Sequence, residues 1–393
     1  MTKHFLEGSQ AVAEAVARCK PQVISAYPIT PQTHIVAELA QLVSNGTLKA
    51  EYVNVESEHS AASVILGASA TGVRVYTATT SQGMMLMNEV IYNIAGMRLP
   101  CVMTLVNRAV SAPLNIWTDH QDSISVRDAG WLQIYAENNQ DAADYMLQAY
   151  RIAEDHRVML PVMVCMDGFV LSHAYETIDV PEQEEVDRFV PPYKPVYKLD
   201  PADPLTFGAY AEPDKYTETR YMIHETMRRA LSIIPEVSAE FKKVFGRQSG
   251  GLIEGYRMDD AETAIVALGS VNGIIRETVD RLREGGTRVG CLKVITYRPF
   301  PDGAITEALG HVKNVFVLDR AISLGSGGPL ATEIRSAFAG RRGCPQVHSV
   351  IGGLGGRDIT EDTIREAIDL SLDGKGQARF LDLNKSLELE GID

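Results

Sequence analysis

Between residues 22 and 167, short apolar or β-branched runs at 22–29, 52–56, 73–79, 100–107 and 161–167 alternate with longer stretches of helical period. Few folds accommodate that alternation. Parallel strands need long crossovers, and crossovers place helices on the faces of the sheet, so the pattern predicts an α/β fold with a parallel sheet covered on both faces. The stretch 60–71 (SAASVILGASAT) is rich in small residues and 84–95 (MMLMNEVIYNIA) is apolar nearly all round, so both are predicted as buried helices. From Val180 the texture changes: prolines stand at 181, 191, 192, 195, 201, 204 and 213, and Glu182, Glu184, Glu185 and Asp187 cluster. This predicts a linker or arm, helical over 217–243. Runs at 263–268, 288–295 and 314–319 then predict a smaller second α/β domain. The expected division is 1–180, 181–255 and 256–393, with the polar last twenty or so residues peripheral.

The composition narrows the function classes. A formal charge of −14 opposes broad binding to nucleic acid or anionic membrane, which need a basic surface. No apolar stretch approaches the ~20 residues that span a bilayer, and MTKHFLEGSQ lacks the apolar region of a signal peptide, so a cytoplasmic location is expected. Cys19, Cys101, Cys165, Cys291 and Cys344 lie far apart, without the close spacing of zinc or iron–sulfur ligands. Buried, reduced thiols are expected at Cys101 and Cys165, no metal site on this chain, and any redox centre on a partner.

Ligands of open parallel sheets bind beyond the carboxyl ends of the strands. There the sequence places Thr30, the ESEH stretch (Glu56, Glu58, His59), TTSQG (Thr80 to Gly83), Asn107 with Arg108, and Asp167 with Gly168. Taken singly, each has an ordinary reading. Glu58 suits the first turn of a helix, Thr30 between Pro28 and Pro31 suits a turn, and Ser81 with Gly83 suits a helix cap and tight entry. His59 and His120 are read as structural. The glycine-rich stretches SLGSGGPLATEI (324–335) and IGGLGGRDIT (351–360) do not fit a dinucleotide fingerprint, and read as tight strand-to-helix turns, with anion binding at a helix N-terminus as the alternative.

Together, AYPITPQT, VESEHSA, TATTSQG, GMRLP, NRAVSAPLNIW, GWLQIYAEN, RIAEDHRVMLPVMV, GLIEGYRMDDAE, YRPFP, LDRAISLGSGGPL and GLGGRDIT resemble the alpha subunit of the pyruvate:ferredoxin oxidoreductase family, from about Gly8 to Glu366. The resemblance implies a pyrimidine-type thiamine diphosphate-binding domain followed by a transketolase C-terminal-like domain. It implies coenzyme A-dependent oxidative decarboxylation of a 2-oxoacid, pyruvate before phenylglyoxylate or a branched acid, with electrons passing through [4Fe–4S] clusters to ferredoxin, or to NAD through extra subunits. Mg²⁺, the diphosphate and the clusters would sit on partners: a beta subunit, a gamma subunit and a ferredoxin-like subunit. Carried onto this chain, the resemblance makes Glu58 the carboxyl group facing the pyrimidine of thiamine diphosphate, with Glu56 as rival. Arg108 and Thr30 become the contacts to the 2-oxoacid, and Gln82 and Asn115 secondary contacts. An oxalate enzyme would want added positive charge near Thr30, which is neutral. A non-catalytic scaffold and an NAD-dependent dehydrogenase are the alternatives from other classes.

Overall fold

A computed structural model describes residues 2–371 and 378–384; the polar C-terminal segment expected to be peripheral lies largely outside them. Two sheets organise the chain. The seven-stranded sheet runs in the order Thr296–Arg298, Leu132–Tyr135, Val162–Asp167, Val102–Asn107, Val75–Thr79, Val23–Ser25, Glu51–Val53. Its pairings are parallel except at the first strand, an antiparallel edge lent by the C-terminal half of the chain. The six-stranded sheet runs Arg379–Phe380, Gln346–Ile351, Asn314–Asp319, Thr263–Ala267, Val289–Val294, Ile253–Tyr256, again with one antiparallel edge. Thr2–Glu7 and Tyr175–Val180 pair as a separate antiparallel ribbon.

The central strands Val75–Thr79, Val102–Asn107 and Val162–Asp167 are buried along their whole length, the mark of a sheet covered on both faces. The run expected as a strand over 22–29 is a strand only at Val23–Ser25. Pro28 has no N–H to give a ladder, and the chain leaves the sheet before reaching it. Leu132–Tyr135 gave no sequence signal: four buried residues without alternation, one of them Gln133, whose Nε2 donates to Ser123 O at 2.8 Å. The helix expected over 84–95 is two, Ser81–Leu86 and Asn88–Gly96, joined at Met87.

The proline-rich region contains the 33-residue helix Pro213–Phe245, with Pro at its start and Gly246 in the left-handed conformation just past its end. Its second half is built into the core beneath the seven-stranded sheet, where Phe189 meets Phe241 and Phe245 edge-to-face and the three ring centroids lie 4.5–5.4 Å apart. Arg247 lies over Phe241 and reaches the buried Asp144 carboxylate, Nε to Oδ2 at 2.8 Å. The arm is therefore fastened rather than loose over this part. Cys19, Cys101, Cys165 and Cys291 are buried free thiols, and burial pushes Cys101 and Cys291 up to about 12; Cys344 is exposed. Among the described residues no helix is long and apolar enough to cross a membrane.

Candidate active site

In the seven-stranded sheet the strand order reverses between Val23–Ser25 and Val75–Thr79: the chain first adds Glu51–Val53 on one side, then crosses to the other. Such a reversal opens a crevice at the carboxyl ends of the two strands. Thr30 follows the first of these strands and Ser81–Gly83 the second, so both border that crevice. Glu58 comes from the neighbouring strand. Ser57 caps the helix Glu58–Ala70, accepting from Ser60 N–H, and Glu58 is its first residue, 7% exposed. Its carboxylate has no hydrogen-bond or ion-pair partner among the described residues, whereas Glu56 is exposed and accepts from Ser60 Oγ, which lowers its carboxyl. Geometry thus separates two carboxylates that spacing left as rivals.

Gly83 sits against Glu58. A Cβ built on it would lie 2.4 Å from Thr79 Oγ1 and 2.8 Å from Glu58 Oε1, so only glycine lets this turn close on the carboxylate. Just before it, Ser81 has φ +46°, a left-handed value that costs an L-residue about 1–2 kcal/mol. Asp122 offsets it. One oxygen of the fully buried Asp122 carboxylate accepts from Ser81 N–H and Arg108 N–H, both at 3.0 Å; the other accepts from Asn107 Nδ2 and Ser123 N–H, both at 2.8 Å. Burial pushes Asp122 up to about 7 while these donors pull it down. One carboxylate therefore fixes the TTSQG turn and the Arg108 segment relative to each other. No pattern around Asp122 announced it; the aspartate lies in the short helix Gln121–Ser125 and acquires its role through tertiary folding.

Arg108 is 6% exposed. Its Nη1 donates to Thr30 O at 2.8 Å and its Nε to Asn115 O at 3.0 Å, so the guanidinium is held by two backbone carbonyls, with Nη2 lacking a partner among the described residues. Burial lowers its proton affinity, opposed by Asp122. Arg108 and Thr30 are thus joined through the threonine's carbonyl, and the exposed Thr30 side chain is left to the crevice. Gln82 is half-buried and accepts from the neighbouring Ser81 hydroxyl at 2.6 Å, which turns it into its own loop. Gly168 packs beneath: a Cβ there would meet Asn107 O at 2.6 Å and Pro31 Cγ at 2.7 Å.

The seam to the second sheet closes beside this site. That sheet also reverses order, between Thr263–Ala267 and Asn314–Asp319. Its crevice holds a side chain of the first sheet, Asp167. Asp167 is 1% exposed; it accepts from Ser270 N–H at 2.9 Å and Thr118 Oγ1 at 3.0 Å, pairs with Arg320 Nη1 at 2.9 Å, and lies 2.8 Å from His120 Nε2. Burial acts to raise this carboxyl, but Arg320 and His120 hold it well below the usual range. The glycine-rich stretches belong to the same seam. Asn115 Nδ2 donates to Gly355 O at 3.0 Å and Gly355 N–H to Asp119 Oδ2 at 3.1 Å. The N-terminus of the helix Pro329–Phe338, an alternative anion site by sequence, is filled by the chain's own Asp319, which accepts from Leu330 and Ala331 N–H at 2.8 and 3.1 Å.

Residues 14–239 match the family described as "Pyruvate flavodoxin/ferredoxin oxidoreductase, thiamine diP-bdg", and residues 261–364 match "Pyruvate:ferredoxin oxidoreductase core domain II". The chain is 51% identical over 366 residues to pyruvate synthase subunit PorA of Methanosarcina barkeri, covering 93% of this chain and 91% of that one. It is 44% identical to ketoisovalerate oxidoreductase subunit VorA of Pyrococcus abyssi, covering 92% of each. In fold it is similar to a 2-oxoglutarate:ferredoxin oxidoreductase of Magnetococcus marinus, with a TM-score of 0.70 and 19% identity; the match covers 94% of this chain and 65% of that longer one.

Proposed function

The chain belongs to the pyruvate:ferredoxin oxidoreductase family, and we propose that it contributes the proton-handling carboxyl group and the substrate-carboxylate contact of a pyruvate-oxidising thiamine diphosphate enzyme. The observation that carries this reading is Glu58: a carboxylate 7% exposed, at the switch point of a parallel sheet, with no partner of its own among the described residues. A buried carboxyl group without a partner is suited to exchange a proton with a ligand nitrogen, and Gly83 lets the TTSQG turn pack directly against it. Thiamine diphosphate, when bound, supplies a nucleophilic carbon that adds to the 2-oxoacid carbonyl and takes up the electrons left when CO₂ departs.

This chain's residues do the rest of the work assigned to it. Glu58 holds and returns the proton at the pyrimidine N1′. Arg108, already anchored through Nε and Nη1, offers its remaining donors to the substrate carboxylate, and the hydroxyl of Thr30, whose carbonyl Arg108 holds, supplies the second contact to it. Gln82 and Asn115 shape the loops that hold these groups and touch the ligand only at second hand. The grip on the carboxylate has to be moderate, since binding that stabilises only the ground state does not accelerate the loss of CO₂. Mg²⁺, the diphosphate and the [4Fe–4S] clusters fall to partner subunits of beta, gamma and ferredoxin-like type, with coenzyme A as co-substrate in a cytoplasmic complex.

The test is Glu58→Gln in the assembled complex, read by hydrogen–deuterium exchange at thiamine C2. Exchange should fall to the rate of free thiamine diphosphate; unchanged exchange removes Glu58 from the role. Pyruvate is favoured as substrate by the 51% identity to a pyruvate synthase subunit, while the 44% identity to a ketoisovalerate oxidoreductase subunit supports a branched 2-oxoacid as the second reading. The ratio of kcat/KM for pyruvate and ketoisovalerate decides between them.

A further inference from the structure

Away from the crevice, three side chains from three separate segments converge without a part in the chemistry above. Glu7 ends the ribbon strand Thr2–Glu7, His34 lies in the first turn of the helix Thr33–Ser44, and His173 stands in the turn that leads into Tyr175–Val180. One ligand atom of each lies within 4.8 Å of the others. Glu7 Oε1 is 2.7 Å from His34 Nδ1 and 4.0 Å from His173 Nδ1, and the two imidazoles face each other at a centroid distance of 4.5 Å. We propose that Glu7, His34 and His173 form a binding site for a divalent transition metal of the zinc class.

The donor set and its surroundings fit that chemistry. Two imidazoles and one carboxylate leave room for an exchangeable ligand on a four-coordinate ion. Metal bonds of about 2.0–2.1 Å at tetrahedral angles separate neighbouring ligand atoms by roughly 3.3 Å, which lies between the 2.7 and 4.0 Å found here. The two separations from Glu7 each differ from that value by less than an ångström, and the three ligand atoms all lie within 4.8 Å of one another, so closing the site draws the two imidazoles together around the carboxylate. Glu7 is held by a capping box with Gln10: its side chain accepts from the Gln10 backbone N–H, and its own backbone N–H donates to Gln10 Oε1 at 3.1 Å. Phe169 packs on the His173 ring at 4.8 Å, and Ser172 Oγ lies 2.8 Å from His173 Nδ1, from which the hydroxyl turns away when a metal takes that lone pair. The side chains are 10%, 52% and 29% exposed, so an ion can enter from one side.

The ordinary alternative is a hydrogen-bonded cluster closing the joint between ribbon, helix and turn. A metal there would staple the segment that begins at Thr30–Pro31 to the turn that begins at Gly168, and so brace the border of the crevice from outside. Equilibrium dialysis of the assembled complex against zinc chloride, with zinc counted by elemental analysis, separates the two. The wild type should retain one more zinc per copy of this chain than His34→Ala/His173→Ala, and each single alanine should weaken that binding at least tenfold. Equal zinc in wild type and double variant overturns the proposal. Zinc-edge X-ray absorption of the wild type gives a check that does not depend on a variant's folding: for the zinc retained by this chain it should show imidazole and oxygen neighbours, and a sulfur shell in their place overturns it.

Discussion

Substituting Asp167 by Asn changes one atom and keeps the shape, which makes it the sharpest probe of the seam between the sheets. The carboxylate meets Thr118, His120, Ser270 and Arg320, all converging from donors, in a pocket where it is 1% and Arg320 6% exposed. An amide keeps one acceptor, turns an N–H₂ toward groups that also donate, and leaves the Arg320 guanidinium buried without its counter-charge. Removing one partner of a buried pair in this way costs about 3–5 kcal/mol. At about 2–4 °C per kcal/mol, the midpoint of thermal unfolding should fall by roughly 6–20 °C. Asp167→Asn combined with Arg320→Met removes the stranded charge as well and should recover about half the loss, so the two substitutions are strongly non-additive. Scanning calorimetry of wild type, both singles and the double variant measures this cycle. A loss below about 1 kcal/mol for Asp167→Asn, or simple additivity, refutes the reasoning. The pH dependence has a fixed sign: the folded-state value lies below the unfolded one, so the stabilisation is complete at neutral pH and declines only as pH falls below about 4.

Arg108→Ala should reduce kcat/KM for the 2-oxoacid by about 10- to 150-fold, the equivalent of ~1.5–3 kcal/mol for a charge-assisted hydrogen bond, measured by substrate-dependent dye reduction; unchanged kinetics sinks the assignment. Gly83→Ala drives a methyl into Thr79 Oγ1 and Glu58, so C2 exchange should slow at least tenfold while the melting midpoint changes by a few degrees; normal exchange would show that the turn does not set the position of Glu58. Asp122, with its carboxyl raised to about 7, binds its proton more tightly folded than unfolded, so its ionisation reduces stability as pH rises from about 4 to 7 and adds nothing further above. The melting midpoint of Asp122→Asn should lack that component of the slope, and kcat/KM of the wild type should fall as pH drops through 7; matching profiles for both proteins would contradict the proposed role.

How much of this was legible in the sequence depended on how local each signal is. The long buried strands announced themselves through composition, because burial on both faces selects β-branched runs; the small-residue stretch is helical as expected but buried on one face only, with Ser63 and Gly67 exposed. Leu132–Tyr135 and the antiparallel edge Thr296–Arg298 did not, being short and defined by the neighbour they pair with. The same division applies to the site. Glu58, Thr30 and Arg108 could be singled out by their places after strands, and the structure joins Arg108 to the Thr30 carbonyl. That Asp122 links Ser81 to Arg108 needed the fold, since its two partners lie 41 and 14 residues away. The glycine-rich stretches were visible, but their purpose was not. Gly328 exists to let the chain pass the Asp319 carboxylate, and Gly355 to let it pass Asn115.

Both sheets reverse their strand order, and among the described residues the second reversal is filled from within the chain. In the second, Asp167 acts as a permanent tenant. Because it is covalently part of the same chain, its local concentration far exceeds that of any free anion, and a competitor would have to evict it and pry the sheets apart at once. Self-occupancy therefore does what a steric gate does elsewhere. Under the proposed function, a substrate carboxylate is then directed to the other crevice, where Arg108 rather than an acid of the chain would meet it.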